Sequence, residues 1–455
     1  MKRVISLWLC FVLVASSAVV LGEEEAELIE GKVVVRNGVM YTSHAPMRID
    51  SNAQFASMAT AEGWPGNGSA SNPWIIENYI INASGSSLCI FIGNITSHFV
   101  VRNCYLFNAR TNDYYINLGS GLGLFDCTNA TIFNNTAENN WYGITVSSCP
   151  GITISDNYVI NNTRIGYTTW GIGIFYSSDC TIKNNIALNH NVSNSNGIHC
   201  WDLSESAVIN NTCYQNYNGL SVQFSENNYI HDNVLYSNNH VGFHVSNSQE
   251  NAFYNNTVRA NGYTSFYIYS SSNNTFFHNN ILETVYHYAQ DAGDYLNKWD
   301  NGYPSGGNYW QKFIVSDYRS GINQNILGKD GIGDKPFTTF TQGSNIDRYP
   351  LYHQFSCGVE VPPNISVVTP VNVTVIKSGT VIQLDIWDGN YNLSNANFSF
   401  DGLPPQSFSV NYNVSTTGWS EGDHTLLIQA SDQTNLASQK LLCYSIDNTA
   451  PTISA

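Results

Sequence analysis

Asp179 and Glu205 are the acidic residues whose spacing most invites chemistry. Each lies six residues before an Asn, Asn185 and Asn211, that recurs through the chain. If those repeats stack as coils, the two carboxylates lie roughly 5 Å apart. Such a pair can raise the pKa of one member and act as acid and base, as in retaining glycosidases. It can equally hold a hard cation such as calcium, or face solvent and do neither. Asp330 and Asp334 flank Gly331 and Gly333. They resemble a short calcium loop without the full EF-hand pattern, and a capping turn is the competing role. His199 and His244 share one offset but sit two repeats apart, about 9–10 Å by stacking. A single ion needs both nitrogens within about 2.1 Å, so a shared metal is not expected.

A second set suits binding. Three connecting segments, 109–120, 163–170 and 191–196, are longer than their counterparts and fall at one corner of the repeat. They carry Tyr114, Tyr115, Tyr167 and Trp170. The adjacent strand face is expected to present Phe175, His199, Trp201, Gln223 and His244 outwards. Aromatic planes beside hydrogen-bonding groups on a rigid scaffold match sugar rings. The competing reading is a decorated surface without a ligand. No Gly-x-Ser-x-Gly, phosphate loop or CxxC pair occurs, so zinc of the usual spacing is unsupported.

The elements that hold these residues follow from self-similarity, with repeats of about 22–28 residues. Asn103, Asn135, Asn157, Asn185, Asn211, Asn233, Asn256 and Asn280 serve as anchors. Three residues before them lie Val100, Ile132, Ile154, Ile182, Val208, Ile230, Phe253 and Phe277. Two residues after lie Tyr105 to Leu282, mostly apolar. Thirteen and eleven before lie further apolar residues, from Ile90 and Ile92 to Tyr267 and Tyr269, and Gly recurs at fourteen. Short period-two strands with matched inward positions cannot bury their own face, but stacked coils can. The pattern therefore predicts a right-handed parallel β-helix, with the anchors forming an amide ladder at a turn. A second column, Asn108, Asn140, Asn162, Asn216, Asn238 and Asn261, follows five residues later. A β-propeller would need about 40–45 residues per unit, and leucine-rich repeats another pattern.

Residues 41–76 are expected to cap the first coil, 77–283 to form the rungs, and 284–355 to close the far end. After Pro362 and Pro363, alternating runs over 363–455 predict an immunoglobulin-like β-sandwich. Its end has linker chemistry, compatible with a fragment of a longer surface protein. The fold class expected is all-β. Residues 1–22 read as a signal peptide, with Lys2 and Arg3 before an apolar run. No second segment is long enough to span a membrane. The formal net charge is −16, which argues against nucleic acid and anionic membranes as partners. About fifteen Asn-x-Ser/Thr sequons are compatible with glycosylation. Of 10 cysteines, most are expected to pack the core as small hydrophobes.

Over residues 44–352 the chain resembles the NosD-like group of parallel β-helix repeat proteins, catalogued with carbohydrate-binding proteins and sugar hydrolases. The resemblance rests on Ser71-Asn-Pro-Trp-Ile-Ile-Glu-Asn-Tyr79, the repeated Gly-Ile and Asn-Asn rungs, and the end. That end runs Gly307-Asn308-Tyr309-Trp310, then Asp330-Gly-Ile-Gly-Asp334-Lys-Pro336, then Asp347-Arg-Tyr-Pro-Leu351. The family name implies copper supply to a periplasmic enzyme. Copper handling favours clustered Met, Cys and His, whereas all 4 methionines lie in the first 58 residues. The Asp-Pro-His-Glu motif of mannuronan epimerases and the polygalacturonase motifs are missing. The expectation is a secreted or cell-surface protein that binds polysaccharide or glycoprotein. The alternatives are a polysaccharide lyase or glycoside hydrolase, a structural spacer, and the copper role.

Overall fold

The protein is described from a computed structural model covering residues 33–36, 39–110, 119–283, 285–292, 297–338, 340, 345–356, 360–390, 392–408 and 411–449. The expected signal peptide, Tyr114, Tyr115, Cys10 and Cys357 lie outside these residues. Period-two apolar positions become three sheets that the chain visits in turn, parallel except where Val33–Arg36 runs antiparallel to Val39–Ser43. Sheet 1 has ten strands, from Met47–Ile49 to His287–Ala292. Sheet 2 has nine, from Trp74–Glu77 to Thr275–Phe277. Sheet 3 has twelve, from Val33–Arg36 to Tyr309–Trp310. In one coil, Trp170–Ser178 lies in sheet 1, Thr181–Lys183 in sheet 2 and Ile186–Leu188 in sheet 3. Each pairs in parallel with its counterpart one coil on.

The inward columns are fully buried. Ile144, Ile172, Ile198, Leu220, Phe243 and Phe266 form one; Ile132, Ile154, Ile182, Val208, Ile230, Phe253 and Phe276 form another. Burying each such side chain contributes about 1.5–3 kcal/mol. Seven cysteines, from Cys89 to Cys213, are free and buried in the same solenoid. Where the chain enters sheet 1, neighbouring coils approach so closely that a Cβ on Gly143 would strike the carbonyl oxygen of Gly171 at 2.3 Å.

The amide ladder is present, one residue out of the expected register at both ends. It runs Asn135, Asn157, Asn185, Asn211, Asn233, Asn256, Asn279 and Asn308. Cys104 precedes it, its N–H donating to Asn135 Oδ1. Asn103 instead takes the left-handed turn position, with φ 54°, and Asn280 is a strand residue bonded to Phe355. The cause is that an Asn can occupy either of two adjacent positions, the turn or the stack. Asn is favoured in left-handed backbone as well as in amide stacks. In Asn134-Asn135, Asn184-Asn185 and Asn210-Asn211 the first residue turns and the second stacks. At the last regular coil His278 turns, so Asn279 stacks. The inward residues there are Val101, Leu106, Phe276, Ile281, Phe266 and Ile268. Val100, Phe277, Leu282, Tyr267 and Tyr269 do not occupy the core. In the second column Ala109 replaces Asn108 as the first member. His190 takes an Asn place between Asn162 and Asn216.

The N-terminal coil carries an α-helix, Asn52–Glu62, which the sequence analysis did not foresee. Its signal was a short one: Ser51 and Gln54 three residues apart, with Ser51 Oγ accepting from Gln54 N. Phe55 packs on Trp64, Trp74 and Phe99 across the first coil. At the far end Trp299 stacks on Phe276 at 4.3 Å, and Trp310 on Phe337 at 3.9 Å. Asp347 ends the ladder by accepting from Asn308 N and Trp310 Nε1. Beyond it, a three-stranded and a five-stranded sheet enclose a separate core of Ile382, Leu384, Ile386, Leu426, Ile428 and Leu442, a β-sandwich.

Candidate functional site

Alternation on sheet 1 sends one set of side chains out of the core. Phe175, Trp201, Gln223, Ser246 and Tyr269 are in register in one outward column. Gly173, His199, Ser221, His244 and Tyr267 form the other. The expected face is therefore assembled, with His199 and His244 two coils apart. Its first part is packed on itself. Trp170 stacks on Tyr142 at 4.2 Å and on His199 at 5.8 Å, and its Nε1 donates to Thr145. Both of its faces are thus covered. His199 is 4% exposed and accepts from Asn196 Nδ2 at 3.2 Å. Tyr167 is half-exposed and holds the Arg164 guanidinium 3.8 Å above its ring, while Trp141 takes the same cation at 3.9 Å.

Further along, the face opens into a cleft of about 380 Å³ at the corner between sheets 3 and 1. Tyr217, His240 and Tyr263 stack there as a column, with centroids 4.9 and 5.3 Å apart. The rings cover one another's faces, so a ligand would meet their polar edges, where His240 Nδ1 already pairs with Asn218 Oδ1 at 3.1 Å. His244, Tyr267 and Gln290 line the sheet side, and Asn194 and Asn218 the remainder. Tyr263 Oη donates to Gln290 Oε1 at 2.9 Å, and Gln223 Nε2 donates to His244 Nδ1 at 3.1 Å. None of the described lining residues is Asp, Glu, Lys or Arg. Burial lowers His240; burial, then the charge of His240, lowers His244 to about 4. Burial, then His244, lowers His199 to about 3. At neutral pH these rings are uncharged donor–acceptors.

The opposite edge of the face carries exposed aromatics. Phe125, Tyr176, Phe224 and Tyr269 are 42–54% exposed, and Trp201 sits 4.6 Å from Phe224. Tyr176 and Phe224 adopt φ of 49° and 53°. Left-handed backbone is costly for bulky residues, and such strain concentrates at functional positions.

Asp179 and Glu205 lie elsewhere, on the turn from sheet 1 to sheet 2 in adjacent coils, both exposed. Neither lines the cleft. Asp334 accepts from Ser316 Oγ and the N–H groups of Tyr318 and Arg319. Asp330 accepts from Gly321, Gln324 and Ile332. These two carboxylates are used by N–H and O–H donors that shape a loop. Tyr217, His240 and Tyr263 are not among the site residues expected from the sequence. They recur one or two residues after Asn216, Asn238 and Asn261, an offset that would have exposed them. Tyr267 and Gln290 were hidden by the one-residue slip at the last coils.

Residues 159–295 match the family model described as periplasmic copper-binding protein (NosD), and residues 30–186 match the right handed beta helix region. No curated protein matches the chain. Among solved structures, a double mutant of the periplasmic alginate epimerase AlgG is 16% identical, with 49% of this chain and 67% of that chain covered and a TM-score of 0.37. The A-module of the Azotobacter vinelandii mannuronan C-5 epimerase AlgE4 gives 17%, 54%, 69% and 0.31. The enzymatically active domain of bacteriophage CBA120 tailspike protein 2 gives 12%, 91%, 66% and 0.40. Likeness at this level does not carry function across. The residues present do not fit copper either. Among the described residues no group of three or more His, Cys, Asp or Glu could hold a metal ion. The solenoid thiols are buried in the core, where burial pushes Cys104 and Cys200 up to about 12. Among the described residues no helix is long and apolar enough to cross a membrane.

Proposed function

The solenoid of this chain is a NosD-like right-handed β-helix, and from that premise we propose that the outer face of sheet 1 binds an extended polysaccharide or glycoprotein glycan outside the cytoplasm. The observation that carries this reading is one continuous face joining an uncharged polar cleft to exposed aromatic rings. Asn218, His240, His244, Tyr263 and Gln290 supply donors and acceptors for sugar hydroxyls. Phe224, Trp201 and Tyr269 supply apolar surface for the less polar ring faces. The N-terminal run read as a signal peptide supports an extracytoplasmic location.

Catalysis is the second reading. Neutral His240 and His244 beside tyrosine hydroxyls can move a proton, as a lyase requires, whereas the described lining of the cleft holds no carboxylate pair for hydrolysis. A polysaccharide and glycan array followed by product analysis tests both. Binding predicts retention without new ends, and a lyase predicts unsaturated ends. Retention of no glycan, or retention undiminished when Tyr263 and Gln290 are replaced by Ala, removes the cleft from consideration.

A further inference from the structure

The described β-sandwich leaves five buried side-chain oxygens without a hydrogen-bond partner, and three of them belong to residues brought together at one end, Asp388, Asn392 and Asp432. Asp388 and Asp432 are 3% and 1% exposed. Oδ2 of each has no hydrogen-bond partner, and neither has Oδ1 of Asn392. Burying a carboxylate oxygen without a partner is among the costliest arrangements a fold can hold.

The three residues meet at one end of the sandwich. Asp388 follows the strand Val381–Trp387, and its Oδ1 accepts from the N–H of Asn390 at 2.8 Å and of Asn392 at 3.4 Å. Asp432 ends the strand Gly422–Asp432 and pairs in register with Leu393, the neighbour of Asn392. The N–H of Gln433 donates to the Asn392 carbonyl at 2.9 Å. Asp432 Oδ1 accepts from Thr434 N, Thr434 Oγ1 and Leu436 N. In each aspartate, then, one oxygen organises the turn and the other is left over. Asn392 turns its amide nitrogen to Glu360 Oε2 at 3.2 Å, which leaves its oxygen over as well. Asp388 feels this crowding: burial first, then the charges of Asp432 and Glu360, push its carboxyl upward.

We propose that Asp388, Asn392 and Asp432 form a calcium site. The donors are all hard oxygens of mixed type, and calcium accepts irregular sets of 6–8 such ligands, completed by backbone carbonyls and water. Magnesium demands a near-ideal octahedron and keeps its own waters. The ion would hold Asp388 and Asn392 beside Gly389 and Asn390, on which the connection from the solenoid rests. Ser356 N donates to the Gly389 carbonyl at 2.7 Å, Asn390 Nδ2 to the Ser356 carbonyl at 3.1 Å, and Val361 N to Asn390 Oδ1 at 3.0 Å. Calcium would therefore stiffen the junction, independently of what the sheet-1 face binds.

Calorimetric titration of the EDTA-stripped full chain with calcium chloride tests this. Saturable uptake of one ion is expected, with a higher melting temperature for the sandwich and no matching response to magnesium chloride. Asp388→Asn and Asp432→Asn keep the Oδ1 acceptors and should each weaken uptake by about tenfold or more, since ligand charge tunes affinity. Asn392→Asp adds a third carboxylate and should tighten uptake, which keeps the test open if the Asn variants fail to fold. No uptake at millimolar calcium, equal uptake by the Asn variants, an equal magnesium response, or unchanged affinity in Asn392→Asp would each overturn the proposal.

Discussion

Each ladder asparagine serves several partners at once. Asn185 Oδ1 accepts from the backbone and side-chain nitrogens of Asn157, and its Nδ2 donates to the Ile154 carbonyl and to Asn211 Oδ1. Asn185→Leu takes the side-chain acceptor from the buried Asn157 N–H and one bond each from Asn157 Nδ2 and Asn211 Oδ1, which keep other partners, at about 1–3 kcal/mol for a group left unpaired. Chemical denaturation of the solenoid should show a loss of at least that size, and an unchanged midpoint would sink the ladder as a stabilising device. The histidines make a separate prediction. His244 has its folded pKa near 4, below the ordinary value, so the unfolded chain binds more protons between these two values. Its contribution to stability is complete above the unfolded pKa and falls as pH drops towards 4. Buried Asp347 and Asp317, raised to about 7 by desolvation, act in the opposite sense. The comparison must therefore be with a variant: His244→Gln should lose less melting temperature than the parent between pH 7.5 and 5. The periodic apolar positions were legible in the sequence. The stacking Asn was legible at Asn135, Asn185, Asn211 and Asn256 but not at the two ends, where Asn103 and Asn280 lie one residue from the ladder, because Asn suits both the turn and the stack.

At the scale of elements, the helix Asn52–Glu62 covers the first coil through Phe55, which is fully buried. Phe55→Ala should cost about 3–5 kcal/mol. Hydrogen exchange should quicken first in the N-terminal coils and leave Ile230 and Val258 protected. The helix escaped notice because its apolar face is narrow and its polar side carries small residues. The exposed edge of sheet 1 carries a trade-off. Phe224 is 47% exposed on left-handed backbone, a conformation that Asn tolerates better. Phe224→Asn should raise the melting temperature slightly while weakening retention of any glycan found by the array. A fall in both would show Phe224 to be a packing residue. Trp201→Ala should weaken binding by about 1–3 kcal/mol. It should also cost some stability, since Trp201 packs against Phe224 and His199.

Among the described residues the molecule has two cores with no buried residue in common. Each coil of the solenoid contacts chiefly its neighbours, so its stability is close to a sum of coil and interface contributions. Calorimetry of the full chain should resolve two transitions, and only the sandwich transition should respond to calcium. A single transition that moves as one with calcium would show the two cores to be energetically fused. By itself the sequence determined the β-helix, because one coil repeats the short-range pattern of the last and stacking turns that pattern into columns. It also placed the outward face that bears His199, Trp201, Gln223 and His244, since alternation along a strand is a local property. Tertiary structure alone decided the rest. The cleft depends on which corner residues stack from coil to coil, and a one-residue slip moves every side chain to the other face. Asp432 comes beside Asp388 and Asn392 only because two strands distant in sequence pair across a sheet, and no local spacing encodes that pairing.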